Sequence, residues 1–310
     1  MRLSALLLAA ATLLVVPLPA GAQQQTPKFQ VNVRLVNVFV SVTAPNGAPI
    51  ANLTQNDFAL AEDNVPQKIA YFERDTSMPL SIVLAIDTSG SVFKDLTLEE
   101  RAARDFVHAL LRPQDDFDLI NFNSDVEEVV PFTNNLNQID DGLRHLIPGP
   151  ATAFYNAIWL ASQRLAARPG RKVLVIISDG VNTVDGVDYP QALEQAVRGE
   201  VMIYSLIDVP IIADAGRSTG GEHAMISLSQ GTGGKYYYVQ AGDLAQVFQQ
   251  VSDDLRTQYL ISYYPVARRS ESDFRHIELT MTSTAGPAAS SYLLRYRPGY
   301  YAPPSPPLDR

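Results

Sequence analysis

Three separated segments carry oxygen donors of the kind a hard cation requires. Asp87-Thr88-Ser89-Gly90-Ser91 presents a carboxylate and two serine hydroxyls on alternate residues. Thr152 supplies a further hydroxyl in GPATAFYNAI, and Asp179 a second carboxylate in VIISDG. Two carboxylates with three hydroxyls make an all-oxygen set. Mg²⁺ favours that chemistry in octahedral geometry, with water in the positions the protein leaves open. A lone Asp-x-Ser-x-Ser carries little weight, because Asp and Ser also shape turns and cap helices. Weight comes from the coincidence of three such segments, each placed where a strand ends or a helix begins.

The elements around these segments alternate buried strands with amphipathic helices, the pattern of a mostly parallel sheet covered on both faces. Ile82 to Ile86 reads as the first strand. A helix follows from Thr97, with Glu100 as reciprocal capping partner and Leu98, Ala102, Phe106 and Leu110 as its buried stripe. Phe117 to Phe122 and Val126 to Phe132 form a hairpin about Asn123-Ser124-Asp125, and Leu136 to Leu146 a second helix. Phe154, Ala157, Ile158, Ala161 and Leu165 mark a third helix before the β-branched run Val173 to Ile177. Strands over Val201–Leu206 and Lys235–Val239 enclose a helix around Met225 to Leu228, and Leu244, Val247, Phe248, Val251 and Leu255 define the last one. In open sheets of this type ligands gather outside the carboxyl ends of central strands, so Asp87 and Asp179 are expected to face one another there, in an exposed crevice.

Both flanks are β-rich. Phe29 to Thr43 reads as a long strand, with shorter ones over Phe58–Leu60 and Lys68–Phe72 around Asp63-Asn64. Gln258 to Tyr264, Phe274 to Thr282 and Ser290 to Tyr296 follow the α/β unit. Neither flank has strands enough to bury a core alone, so the two are expected to pair. The fold class is therefore α/β, a Rossmann-like doubly wound sheet inserted in a small β-sandwich. Its divisions are an export signal over 1–22, a flank over 29–76, the α/β domain over 77–257, a second flank over 258–300 and a Pro-rich tail over 301–310.

The donor set resembles the metal-ion-dependent adhesion site of von Willebrand factor type A domains: Asp87, Ser89 and Ser91 fill its Asp-x-Ser-x-Ser, Thr152 its threonine and Asp179 its later aspartate. This likeness covers roughly residues 81–255. RLVNVFVSVT, LTQNDFALAEDN, RTQYLISYYP and RPGYYAP resemble, in addition, a bacterial secreted group of related proteins. The resemblance implies that Ser89, Ser91 and Thr152 contact Mg²⁺, Mn²⁺ or Ca²⁺ directly, while Asp87 and Asp179 act through water. It also implies that an Asp or Glu carboxylate of a protein partner completes the shell.

Other features narrow the function. Arg2, the apolar run Leu6 to Val16 and Ala20-Gly21-Ala22 read as a cleaved export signal, giving a secreted or periplasmic protein with no stable membrane span. With no cysteine among 310 residues, disulfides cannot staple the fold, and a net charge of -9 argues against nucleic acid as partner. His108, His145, His223 and His276 lack metal-ligand spacing, and the acidic loop at Asp185 and Asp188 reads as solvated. Ser89 stands where haloacid dehalogenase-type enzymes carry a second Asp, and no nucleophile elbow, P-loop or dinucleotide fingerprint is present. The expectation is a binding module for adhesion or assembly, not an enzyme. A metal-silent envelope scaffold and a metal-dependent hydrolase are the alternatives.

Overall fold

The computed structural model describes residues 35–74, 78–90, 96–208, 219–239, 243–265 and 274–302. The expected export signal, residues 29–34 of the first expected strand, Ser91 and residues 303–310 lie outside them. The chain opens on strand β1 (Val36–Thr43), whose valines 36, 38, 40 and 42 all point inward at the period of two that a strand imposes. β2 (Phe58–Glu62) and β3 (Val65–Gln67) form a hairpin through Asp63-Asn64, both in the left-handed region with φ of 48° and 64°. That is the primed two-residue turn that suits the twist of paired strands. β4 (Ile69–Arg74) follows.

β5 (Leu80–Asp87) is buried at every residue, as a central strand between two helical layers must be. Next come α1 (Leu96–Leu110), the antiparallel pair β6 (Asp116–Phe122) and β7 (Val126–Thr133), α2 (Leu136–Leu143), α3 (Phe154–Ala166), β8 (Arg171–Ser178) and α4 (Tyr189–Arg198). β9 (Met202–Asp208), α5 (Thr219–Thr232), β10 (Tyr236–Val239) and α6 (Leu244–Arg256) complete the α/β part. Its six strands lie in the order β10-β9-β8-β5-β6-β7, all parallel except β7. Side chains of β5 alternate between the two cores: Ile82, Leu84 and Ile86 pack with α1, α2 and α6, and Val83 and Ala85 with α3, α4 and α5. This is the doubly wound arrangement. α4 has no counterpart in the sequence reading. Asp188, read there as part of a solvated loop, accepts the Gln191 N–H at 2.9 Å as the cap of that helix.

The last strands return to the first. β11 (Tyr259–Tyr263) pairs with both β1 and β4, β12 (Phe274–Met281) with β2, and β13 (Leu293–Arg295) with β1. β14 (Gly299–Tyr301), also absent from the sequence reading, pairs with β12. Two four-stranded sheets result, β13-β1-β11-β4 and β14-β12-β2-β3, enclosing a core of Val38, Val40, Phe58, Leu60, Tyr259, Ile261 and Ile277 among others. Buried Glu62 accepts hydrogen bonds from the Tyr263 hydroxyl at 2.6 Å and the Tyr300 hydroxyl at 2.9 Å, so one carboxylate ties the sheets together. The α/β domain is thus inserted in a β-sandwich built from both flanks.

A buried polar network joins the two parts. Arg295 of the sandwich donates to both oxygens of Asp254 on α6, at 2.5 and 2.6 Å, and the Tyr204 hydroxyl of β9 donates to the same carboxylate. Gln258, directly after α6, reaches the Tyr204 hydroxyl at 3.2 Å and the Ser41 hydroxyl of β1 at 3.3 Å. No helix among the described residues is long and apolar enough to cross a membrane.

Two predictions follow from this architecture. Because β1 and β4 find their sheet partners only beyond residue 258, a fragment of residues 35–74 should show no cooperative unfolding by calorimetry. The second concerns Asp118 of β6, whose side chain is fully buried beside Glu128 of β7 and Arg164 of α3. Burial, reinforced by Glu128 and opposed by Arg164, pushes its pKa up to about 7 from 3.8. Stability linked to that proton is fully present below 3.8 and is lost as pH rises through about 7. The denaturation midpoint should therefore be lower at about pH 8 than at about pH 6, and Asp118→Asn should shrink the difference.

Candidate metal centre

Strand register fixes the geometry of the donor residues. Ile86 pairs with Ile177 across β5 and β8, which sets Asp87, the last residue of β5, beside Ser178, the last of β8. The Ser178 hydroxyl donates to Asp87 Oδ2 at 2.6 Å, and the Ser89 backbone N–H donates to Asp87 Oδ1 at 2.9 Å. Thr88 keeps the sheet going one residue further, its N–H meeting the Phe122 carbonyl at 2.9 Å. Ser89 then bridges to Gly149, whose N–H donates to the Thr88 carbonyl at 3.1 Å. The carbonyl of Ile147 accepts from the Thr88 hydroxyl at 2.8 Å, Asn121 Nδ2 at 3.1 Å and Asn123 Nδ2 at 2.8 Å. One carbonyl thus pins the loop that leads towards Thr152.

Thr152 is held from its other side. Its N–H donates to the Thr183 hydroxyl at 2.8 Å while the Thr183 N–H donates to the Thr152 carbonyl at 2.9 Å, stitching this loop to the one that follows Asp179. Asp179 Oδ1 accepts the Val181 N–H at 2.9 Å, turning the chain sharply after β8. Gly180 has φ +74, and a Cβ there would lie 2.4 Å from the carbonyl oxygen of Gly221 in the first turn of α5. A Cβ on Gly221 would in turn meet the Gly180 carbonyl oxygen at 2.6 Å and the Asp179 one at 2.8 Å. Both positions must be glycine for α5 to seat against the Asp179 loop.

The structure brings Asp87, Ser89, Thr152 and Asp179 to the carboxyl edge of the central sheet. It corrects the expectation of an exposed crevice. Asp87 is fully buried, Ser89 and Thr152 are 2% and 3% exposed, and only Asp179 is half-buried. The reason is that the loops fold over the strand ends to satisfy Asp87. Burial raises the Asp87 pKa, hydrogen bonds from Ser178 and Ser89 pull it back, and the negative charge of Asp179 raises it again. Two carboxylates repelling each other among neutral hydroxyls form a donor set suited to a hard dication, which would ease that repulsion. Among the described residues no group of three or more His, Asp or Glu side chains is placed to hold a metal, so hydroxyls would have to complete any shell. His108 instead lies 3.0 Å from Asp140, and Nδ1 of His145 meets the Asp141 carbonyl, both at the surface.

Ser178, Thr88, Asn123, Thr183 and Gly221 support the site and are not expected from the sequence to do so. Their only signal there is being polar or small at the ends of strands and helices.

Residues 82–182 match the family model of the von Willebrand factor type A domain, a span that contains Asp87, Ser89, Thr152 and Asp179. The chain carries a von Willebrand factor type A domain. No curated relative matches it in sequence. Two solved structures share the fold. A von Willebrand factor type A protein from Catenulispora acidiphila aligns over 82% of this chain and 71% of its own at 11% identity, with a TM-score of 0.50. Proximal thread matrix protein 1 of the mussel byssus aligns over 64% of this chain but half of its own, at 14% identity and a TM-score of 0.50. BatB from Bacteroides thetaiotaomicron aligns over 57% and 97% at 20% identity, with a TM-score of 0.46.

The hydroxyl of Ser178 both donates to Asp87 and accepts the Gly180 N–H at 3.0 Å. Ser178→Ala should destabilise the protein in the presence of EDTA by about 1–3 kcal/mol, the cost of leaving buried partners unsatisfied, read from the shift of the urea midpoint.

Proposed function

We propose that this domain is a metal-ion-dependent protein-binding module, exported from the cytoplasm, that acts in adhesion or in assembly of an envelope or extracellular complex. The observation that supports the reading is that Asp87, Ser89, Thr152 and Asp179 all lie at the carboxyl edge of the sheet, with Ser89 hydrogen-bonded to Asp87 and the charge of Asp179 felt by Asp87. Ser91, outside the described residues, is the fifth member of the set by resemblance. Mg²⁺ is the proposed ion, with Mn²⁺ and Ca²⁺ as substitutes. When bound it supplies an electrophilic position that a partner's Asp or Glu carboxylate can occupy.

The protein's own residues explain why the partner would be acidic. Serine and threonine ligands leave the charge of the ion largely uncompensated, and the carboxylate of Asp87 is already shared with Ser178 and Ser89. An incoming carboxylate therefore finds unspent positive charge. The mussel protein of similar fold is described with zinc in its own metal-ion-dependent adhesion motif, which supports the assignment. Export is supported by the sequence of residues 1–22. Binding through a metal-held carboxylate requires no bond to be made or broken in the partner, so the module is read as non-enzymatic.

Calorimetric titration with Mn²⁺ tests the reading. Wild-type protein should bind one ion and gain about 2.7 kcal/mol of stability at a hundredfold excess over Kd. Thr152→Val keeps the buried shape but removes the hydroxyl, and should weaken Mn²⁺ binding about tenfold or more. Wild-type affinity in that variant would remove Thr152 from the shell. Absence of any saturable Mn²⁺ binding in the parent protein would leave a metal-silent scaffold.

A further inference from the structure

A second cluster of charge lies at the opposite end of the central sheet, where the proposed metal centre makes no use of it. Leu80 begins β5 and Asp87 ends it, so the two places are roughly 23 Å apart along the strand at ~3.3 Å per residue. There a cavity of 310 Å³ opens between the ends of α1 and α6, the first residue of β8 and the segment entering β11. Leucines 80, 110 and 255 form its apolar wall. Arg112, Arg171 and Arg256 converge on it, with Asp115 the single acid among the described lining residues.

These three cations are committed to different degrees. Arg112 holds Asp115 through Nε at 2.9 Å and Nη2 at 3.2 Å. Asp115 also accepts the N–H groups of Leu80 and Arg112, so its oxygens are spent. Arg256 answers the carbonyl end of α1, donating to Ala109 O at 2.6 Å. Arg171 differs. It is 5% exposed, donates through Nη2 to Gln258 Oε1 at 2.5 Å and rests its guanidinium 5.1 Å from the centre of the Phe39 ring. Yet its Nε is buried without an acceptor, and none of the ion pairs among the described residues includes it. Burial lowers its pKa and the charge of Arg112 adds to this, against the opposing effects of Tyr204, Asp254 and Asp115.

A guanidinium removed from water is costly unless an anion or hydrogen-bond acceptors compensate it. Its planar fork of donors matches the oxygens of phosphate and carboxylate. A cavity of this size lies at the small end of the range for ligand pockets, about 300–1,000 Å³. We propose that it binds a small dianionic oxyanion, a phosphate or a dicarboxylate, between Arg171, Arg112 and Arg256. The bound anion would clamp α1, α6, β8 and β11 where the two parts of the molecule join.

The test is calorimetric titration of the signal-free chain, in EDTA and at constant ionic strength in chloride, with inorganic phosphate, sulfate and succinate. Saturable one-to-one binding of at least one anion is expected. Arg256→Gln, at an exposed position, and Arg171→Lys, which keeps the charge but not the planar donors, should each weaken it about tenfold or more. Arg198→Gln, on the surface of α4 and paired with Glu194, should leave it unchanged. Phosphate and sulfate binding in preference to succinate identifies a tetrahedral ligand, and the reverse a dicarboxylate. The proposal is overturned by the absence of saturable binding for all three anions, or by equal weakening in Arg198→Gln. EDTA separates this result from the metal reading, which can fail or hold independently.

Discussion

A carboxylate at the sealed end of a strand must be solvated by protein or it will not stay charged. Asp87 is that group, and much of the surrounding loop structure serves it. A buried ionised carboxylate without partners is expensive enough that its pKa shifts until it neutralises. The Ser178 hydroxyl and Ser89 N–H answer this directly. Their own positions depend on the parallel register of β5 with β8 and on the bridge from Ser89 to Gly149. Through Thr183 the Thr152 loop joins the same set of hydrogen bonds, and the Gly180–Gly221 contact brings in α5. A cluster able to hold a cation is thus also the means by which the sheet tolerates an anion at its edge.

The rest of the molecule depends on a different kind of link. Asp254, Arg295, Tyr204, Gln258 and Ser41 form a hydrogen-bonded network between the α/β domain and the sandwich. Removing one member of such a network leaves the others unsatisfied in a low-dielectric interior, which makes the junction specific as well as strong. α6 passes into β11 through Thr257 and Gln258 alone, so no long linker separates the helix from the strand.

Much of this was legible in the sequence because burial on two faces leaves a plain mark. The runs Ile82–Ile86 and Val173–Ile177 are continuously apolar and rich in β-branched residues, and the stripes of α3 and α6 repeat at helical spacing with every predicted residue buried. α4 was missed although Tyr189, Ala192, Leu193, Ala196 and Val197 recur at helical spacing, because its fully buried positions are only the small Ala192 and Ala196. Its signal was the cap, Asp188 with Gln191, and the early Pro190. β14 is three residues long, too short for any period to show. At the site, the types and spacing of Asp87, Ser89, Thr152 and Asp179 were readable. Their burial was not, since it arises from loops folding across the strand ends. Ser178 was hidden for a related reason: in VIISDG it reads as the last residue of a strand.

The interleaving of the sandwich has a consequence in time. Asn37 and Ser262, hydrogen-bonded across β1 and β11, are 225 residues apart in the chain. In a chain made from its N-terminus, β1 therefore waits without its partner until nearly the whole polypeptide has followed it. Closing so long a loop from a disordered chain is slow, as are all topologies dominated by distant pairings. The inserted domain shortens the wait, because its own folding draws Leu80 and Gln258 to the two sides of one cleft and hands the sandwich its ends already close together. This connectivity favours assembly from the inside outward, and leaves the valine-rich β1 an open strand edge until β11 arrives.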